Sequence, residues 1–230
     1  KEIFSIQDDI TMKITSALQV KLTEGEWAVI LAKGTENLDA YLKLMEGREL
    51  INALNRNDNA LARKKCEEAV ALDPKSAVAY SYLGLTYVMD FAFGIDREES
   101  MKKAFACTQK ALALDDSQPA VYMTMEFMYG FMRRHEKAIA AGEKAVKTAP
   151  GSAHAQFSLG RALNFACRDK EALRHLEMAV RMNPMPPAVY YMHIGSAHLN
   201  LKNYENAVSA LKKALALTPR NEFARGCLMV

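Results

Sequence analysis

The sequence predicts an all-α solenoid, and three observations predict it. The composition favours helix: half of the 230 residues are hydrophobic, a quarter are charged, and only 7 are Pro, with Ala, Leu, Met, Lys and Glu dominant. A short closing phrase recurs, as EAVALDP at 68–74, KALALDD at 110–116, KAVKTAP at 144–150, MAVRMNP at 178–184 and KALALTP at 213–219, in steps of 42, 34, 34 and 35 residues. A fixed period in this range marks stacked repeats, each burying its apolar face against the next. Each unit also holds two helical stretches, and Pro closes four of the five units, where it stops one helix and positions the next.

Taken in order, Ile3, Ile6, Ile10, Ile14, Leu18 and Leu22 return every three or four residues, which is one face of an amphipathic helix. Asp8 and Asp9 near its start and Lys21 near its end complement the helix dipole. A shorter helical piece, EWAVILAK, stops near Gly34. The expected organisation is an N-terminal helical segment over 1–37, a solenoid over 38–220 with units at about 38–74, 75–116, 117–150, 151–184 and 185–219, and a truncated capping helix over 221–230.

Inside the solenoid small residues recur where paired helices must approach. One series is Gly84, Gly160 and Gly195; a second is Ala62, Ala104, Ala138, Ala172 and Ala207; a third is Ala69, Ala111, Ala145, Ala179 and Ala214. Large apolar residues alternate with them, so that ridges meet grooves.

These positions carry a specific resemblance. Tyr80, Leu83, Gly84, Tyr87, Ala104 and Ala111 in unit two, Leu159, Gly160, Ala172, Leu176, Ala179 and Pro184 in unit four, and Tyr191, Ile194, Gly195, Ala207, Leu211, Ala214 and Pro219 in unit five resemble the tetratricopeptide repeat. The resemblance implies a right-handed superhelix of helix-turn-helix units whose first helices line a concave surface. Three features depart from it. Unit two has eight extra residues in VMDFAFGIDREES, which predicts longer helices or a longer loop. Unit one has about three extra in NALNRNDNA. Unit three has Glu126 where a small residue belongs and Gly142 where a bulky one does. A buried carboxylate is costly unless paired or hydrated; Arg133 or Arg134 is within sequence reach, Gly142 could leave room, and escape to water is the simplest expectation.

The opening IFSIQDDITMKITSALQVKLTEGE, followed by NLDAYLKLMEGREL, is similar to the junction in bacterial adenylate/guanylate cyclase-type proteins in which a TolB-like domain leads into such repeats. The extended second unit fits that group. This resemblance implies the repeat region of a larger signalling protein, with the cyclase domain elsewhere. The start at Lys1 points the same way.

The remaining chemistry is mostly exclusion. Net charge is +3 from 30 basic and 27 acidic residues, too balanced for a nucleic-acid partner. Cys66, Cys107, Cys167 and Cys227 stand 41, 60 and 60 residues apart, without disulfide or zinc spacing, and read as thiols in a reducing, cytoplasmic setting. No apolar run reaches the roughly 18 residues of a membrane span. His135, His154, His175, His193 and His198 form no HExxH, and no phosphate-binding Gly loop or nucleophile elbow is present. No enzyme activity and no cofactor are expected in this segment.

The concave surface is the candidate site. Counting each unit from seven residues before its Gly, positions 2, 5, 9, 12 and 13 of the first helix point inward in the tetratricopeptide pattern. They give Ser81, Leu85 and Met89; Met123, Phe127 and Phe131; His154, Phe157, Arg161, Asn164 and Phe165; and Met192, Ser196 and Asn200. Four Phe and three Met in a groove that solvent alone would keep polar predict a binding surface for an amphipathic helix or apolar peptide, with Arg161, Asn164 and Asn200 fixing its polar groups. The competing expectation is that the winding is tight enough for the chain to fill its own groove, one version using residues 3–22. Ser81, Leu85, Met123 and Phe127 stand where a Lys/Asn/Arg clamp for an acidic C-terminal peptide would be, which disfavours that mode. A homodimer, formed through the N-terminal helix or the terminal repeat, is the alternative reading.

Overall fold

Small side chains set how closely the helices of this chain approach. The computed structural model describes residues 34–35 and 37–229; the expected helix over 3–22 and the EWAVILAK stretch lie outside them. Eleven α-helices and no strand occur among the described residues. The first pair is α1 (Leu38–Asn52) and α2 (Arg56–Leu72), the second α3 (Ala77–Ala92) and α4 (Arg97–Leu114), and the third α5 (Pro119–Phe131) and α6 (His135–Thr148). The fourth is α7 (Ala153–Phe165) and α8 (Asp169–Met182), the fifth α9 (Ala188–Asn200) and α10 (Tyr204–Leu217), and α11 (Glu222–Leu228) follows.

Local chemistry starts and stops these helices. Asn37, Asn55, Ser76, Ser152 and Asn221 cap α1, α2, α3, α7 and α11, each accepting a backbone N–H from the first turn, which satisfies a donor the helix cannot. Within every pair the turn passes through the left-handed region, at Leu54, Gly94 and Asp96, Arg133, Cys167 and Lys202. In pairs three to five the next N–H reaches back five residues, from Arg134 to Tyr129, Arg168 to Leu163 and Asn203 to His198. That closure ends a helix by satisfying its last carbonyls.

The three alanine and glycine series sit where the helices cross. The alanines named above are all buried. A Cβ on Gly160 would meet Leu176 at 2.8 Å, and one on Gly195 would meet Leu211 at 2.6 Å, so α7 and α9 lie directly on α8 and α10. Gly142 does the same between pairs: its missing Cβ would lie 2.9 Å from the Cα of Leu159. The room expected there for Glu126 is taken by α7.

The first helices α1, α3, α5, α7 and α9 contact one another in succession, while each second helix packs on its partner and on the next first helix. This makes an inner and an outer layer. The extra residues of unit two lengthen its helices to 16 and 18 residues, against 13 and 14 in the next pair. The inner layer is wound tightly enough for its two ends to meet. The Glu222 N–H donates to the Leu54 carbonyl at 3.2 Å, and the Arg56 N–H donates to Glu222 Oε1 at 3.3 Å. Arg220 pairs with Asp58 at 3.1 Å, and Phe223 stacks on Phe93 with centroids 5.3 Å apart. The cap thus joins the first pair, 166 residues earlier in the chain.

Candidate interaction cavity

The inner layer encloses a cavity of about 180 Å³. Leu85, Met89, Met123, Phe127, Phe131, His154, Phe157, Arg161, Phe165 and Met192, all expected on the concave surface, line it. Ser81, Asn164, Ser196 and Asn200, expected with them, do not. Ser81 is buried and donates to the Ala77 carbonyl. Asn164 is buried and turned to the next helices, donating to Asp169 at 2.7 Å and meeting His193 Nδ1 at 3.1 Å. The exposed Asn200 donates to the same Asp169 oxygen at 3.2 Å. The expectation that Asn164 and Asn200 fix a ligand is therefore corrected: both amides are spent holding α7, α8 and α9 together.

The lining contains residues that the inward positions omitted. Tyr82, Thr124, Ser158 and His193 all occupy position 6 of their units. Tight winding turns position 6 inward, and in unit four it turns position 12, Asn164, toward the neighbouring helix. Arg48, Ile51 and Asn52 of α1 also line the cavity. The signal for them was present, since counting unit one from Gly47 makes them positions 9, 12 and 13. Leu54 and Phe223 enter only because the ends of the winding meet, which no single repeat encodes.

A buried ion pair organises the centre of the wall. Glu126 on α5 is 0% exposed. Its carboxylate accepts from Arg161 Nε at 3.0 Å, Arg161 Nη2 at 2.5 Å and Ser158 Oγ at 2.8 Å. The carboxylate does not escape to water, and its partner is Arg161 of the next unit rather than Arg133 or Arg134. Arg161 also lies over the Phe127 ring at 3.9 Å and the Phe157 ring at 5.1 Å, so it is not free to clamp a ligand. Burial pushes the Glu126 carboxyl above the usual range, against the pull of Arg161 and Ser158.

The aromatic rings form a continuous set. Phe127, Phe131 and Phe165 contact one another with centroids 4.8 to 6.2 Å apart. Gly130 admits this packing, because a Cβ there would lie 2.3 Å from the Phe165 ring. Phe157 stacks on Tyr190 at 4.5 Å, and the Tyr190 hydroxyl meets His154 Nδ1 at 2.5 Å. Both cavity imidazoles are held neutral. Burial, then Arg48 and Arg161, pushes His154 well below the usual value; burial, then Arg161, pushes His193 down to about 3. Because the Asn164 amide nitrogen is committed to Asp169, its oxygen faces His193, which must then carry its proton on Nδ1. No group of acidic, histidine or cysteine side chains suited to a metal ion occurs among the described residues.

The repeat family decides the identity of the fold. A tetratricopeptide-repeat family profile matches residues 188–221, the fifth helix pair with its succeeding turn. A tetratricopeptide-repeat protein of the thermophile Thermus thermophilus superposes with a TM-score of 0.62 at 16% identity, covering 83% of this chain and 100% of that one. The chain is a tetratricopeptide-repeat solenoid. This solenoid is also similar to a putative adenylate cyclase of Rhizobium meliloti (strain 1021), at 31% identity over 140 residues, which is 60% of this chain and 24% of that protein. It therefore resembles a cyclase-associated repeat region and spans about a quarter of that relative's length.

Proposed function

We propose that this solenoid is a non-catalytic protein-interaction scaffold, that it holds an apolar part of a protein partner in the concave cavity, and that it is the cytoplasmic regulatory or assembly region of a larger bacterial signalling protein. The observation that carries the binding reading is the convergence of Phe and Met side chains from α3, α5, α7 and α9 on one inner cavity. Phe127 and Phe157 also serve the core, but Leu85, Phe131 and Phe165 are only half-buried and leave apolar surface on the cavity, which supports a binding surface. The link to signalling rests on the likeness to the putative adenylate cyclase, and the cytoplasmic setting on the four free cysteines. No described helix is long and apolar enough to cross a membrane.

The test uses Leu85, which lines the cavity and is only half-buried. Phe127 and Phe157 are poor choices because both are deeply buried, and truncating such residues costs about 3–5 kcal/mol in fold stability alone. Leu85→Glu should abolish co-purification of the native partner while leaving the helical circular dichroism unchanged. Retained capture by Leu85→Glu would remove the cavity from the account.

A further inference from the structure

We propose that the cavity is a receptor for one uncharged aromatic ring, supplied by an aromatic side chain of the bound protein. The proposal rests on the binding reading above and specifies its anchor. Three observations converge on it.

The first is size. A cavity of about 180 Å³ is close to the ~150 Å³ apolar cavity that stays dry and takes up benzene. An α-helix with side chains is about 10–12 Å across and does not fit. The expected helix-binding groove has contracted to a site for a single side chain, because Phe131, Phe165 and Phe223 occupy part of the concave space themselves.

The second is the wall. Phe127, Phe157 and Phe165 present ring surfaces, while Met89, Met123 and Met192 present thioethers. Aromatic rings pair favourably edge-on or offset. Thioether sulfur contacts ring edges well, and the unbranched Met side chain adapts to the shape it meets.

The third is charge. Ser158 and Arg161 are both bonded to Glu126, and Thr124 donates to the Ser81 carbonyl at 3.2 Å. The Glu126 carboxylate is sealed behind Arg161, so an entering cation meets a guanidinium and no accessible counter-ion. An entering anion would have to compete with Glu126 for Arg161, already held through two nitrogens, and with Glu49 for Arg48, the second guanidinium on the wall. Both cavity imidazoles are uncharged at neutral pH. The site therefore selects for ring shape and against charge.

The proposal is tested on the whole 230-residue chain with 13C-methyl-labelled methionine, titrated with indole, benzylamine and N-acetyltryptophanamide. Ring currents should shift the Met89, Met123 and Met192 methyls with indole and with N-acetyltryptophanamide, but not with the cationic benzylamine. Leu85→Phe, which fills the cavity, should weaken indole binding by about tenfold or more, with an unchanged melting temperature serving as the folding control. Three results overturn the proposal: no shift of these methyls up to the solubility of indole, equal shifts with benzylamine, or undiminished binding by Leu85→Phe. Indole binding without N-acetyltryptophanamide binding overturns the side-chain source. If rings fail to bind while Leu85→Glu still abolishes partner capture, the scaffold reading stands and only the aromatic anchor is lost.

Discussion

Glu126 and Arg161 show how much a single residue can hide from a sequence. Glu126 looks like an error in the repeat, standing where a small side chain belongs, and its remedy lies 35 residues away in the next unit. A buried pair of this kind adds little net stability, but removing one member strands the other. Glu126→Ala should therefore destabilise the fold by roughly 3–5 kcal/mol, measured by urea denaturation. The double change Glu126→Leu with Arg161→Met should recover most of that loss. A Glu126→Ala chain more stable than the original would mean that the pair does not form. The histidines make a second prediction at this scale. His193 falls from 6.5 to about 3 on folding, so as pH drops the unfolded chain takes up the proton first. The stability this group confers is complete above pH 6.5 and is lost progressively between there and about pH 3, and the depressed His154 acts with the same sign. Glu126 acts with the opposite sign in the window that opens upward from 4.5, because burial raises its folded-state value, and so offsets part of the histidine loss there. Melting temperature should fall from about pH 7 to about pH 5, and His193→Gln, which can still donate to Asn164 but cannot titrate, should fall less steeply.

At the scale of the element, the helix pairs were legible because their determinants are local and repeated. Ala104, Ala138, Ala172 and Ala207 return at the same offset in every unit, and each is buried against a partner helix. Gly195 belongs to the same logic. Its replacement by Ala places a Cβ 2.6 Å from Leu211 and 3.2 Å from the Ala207 carbonyl, and should destabilise by about 1–3 kcal/mol through overpacking, read as a lower denaturation midpoint. A neutral result would mean that α9 and α10 can separate freely. The turns were not legible in the same way. Arg133, Cys167 and Lys202 hold left-handed backbone at equivalent places, yet none is the Gly or Asn that would announce it. The backward hydrogen bonds impose the conformation and override residue preference. The site was legible to the degree that a fixed inward numbering holds. It located the Phe and Met side chains, and it missed position 6 because the winding is tighter than that numbering assumes.

The tight winding is a property of the whole molecule, and no stretch of sequence carries it alone. Phe223 reaches Phe93, and Glu222 reaches Leu54 and Arg56, only because five pairs bring the last helix back to the first. The Arg220–Asp58 pair adds little to this closure, since Arg220 is 72% exposed and such pairs contribute about 0–1 kcal/mol. The stacked ring contributes more, as aromatic pairs add about 0.5–1.5 kcal/mol beyond their buried area. Removing residues 221–230 should lower the melting temperature by several degrees, on the order expected for 1–3 kcal/mol, and should enlarge the radius of gyration in small-angle scattering. An unchanged radius would show that the inner layer keeps its curvature without the cap.

The central claim is that partners bind inside this closed winding and not on its outer layer. Site-specific photo-crosslinking tests it most directly, with benzoylphenylalanine placed at Asn52, on the cavity wall, or at Leu61, exposed on α2. The account predicts that the native partner is trapped from position 52 and not from position 61. Trapping from position 61 alone would contradict it.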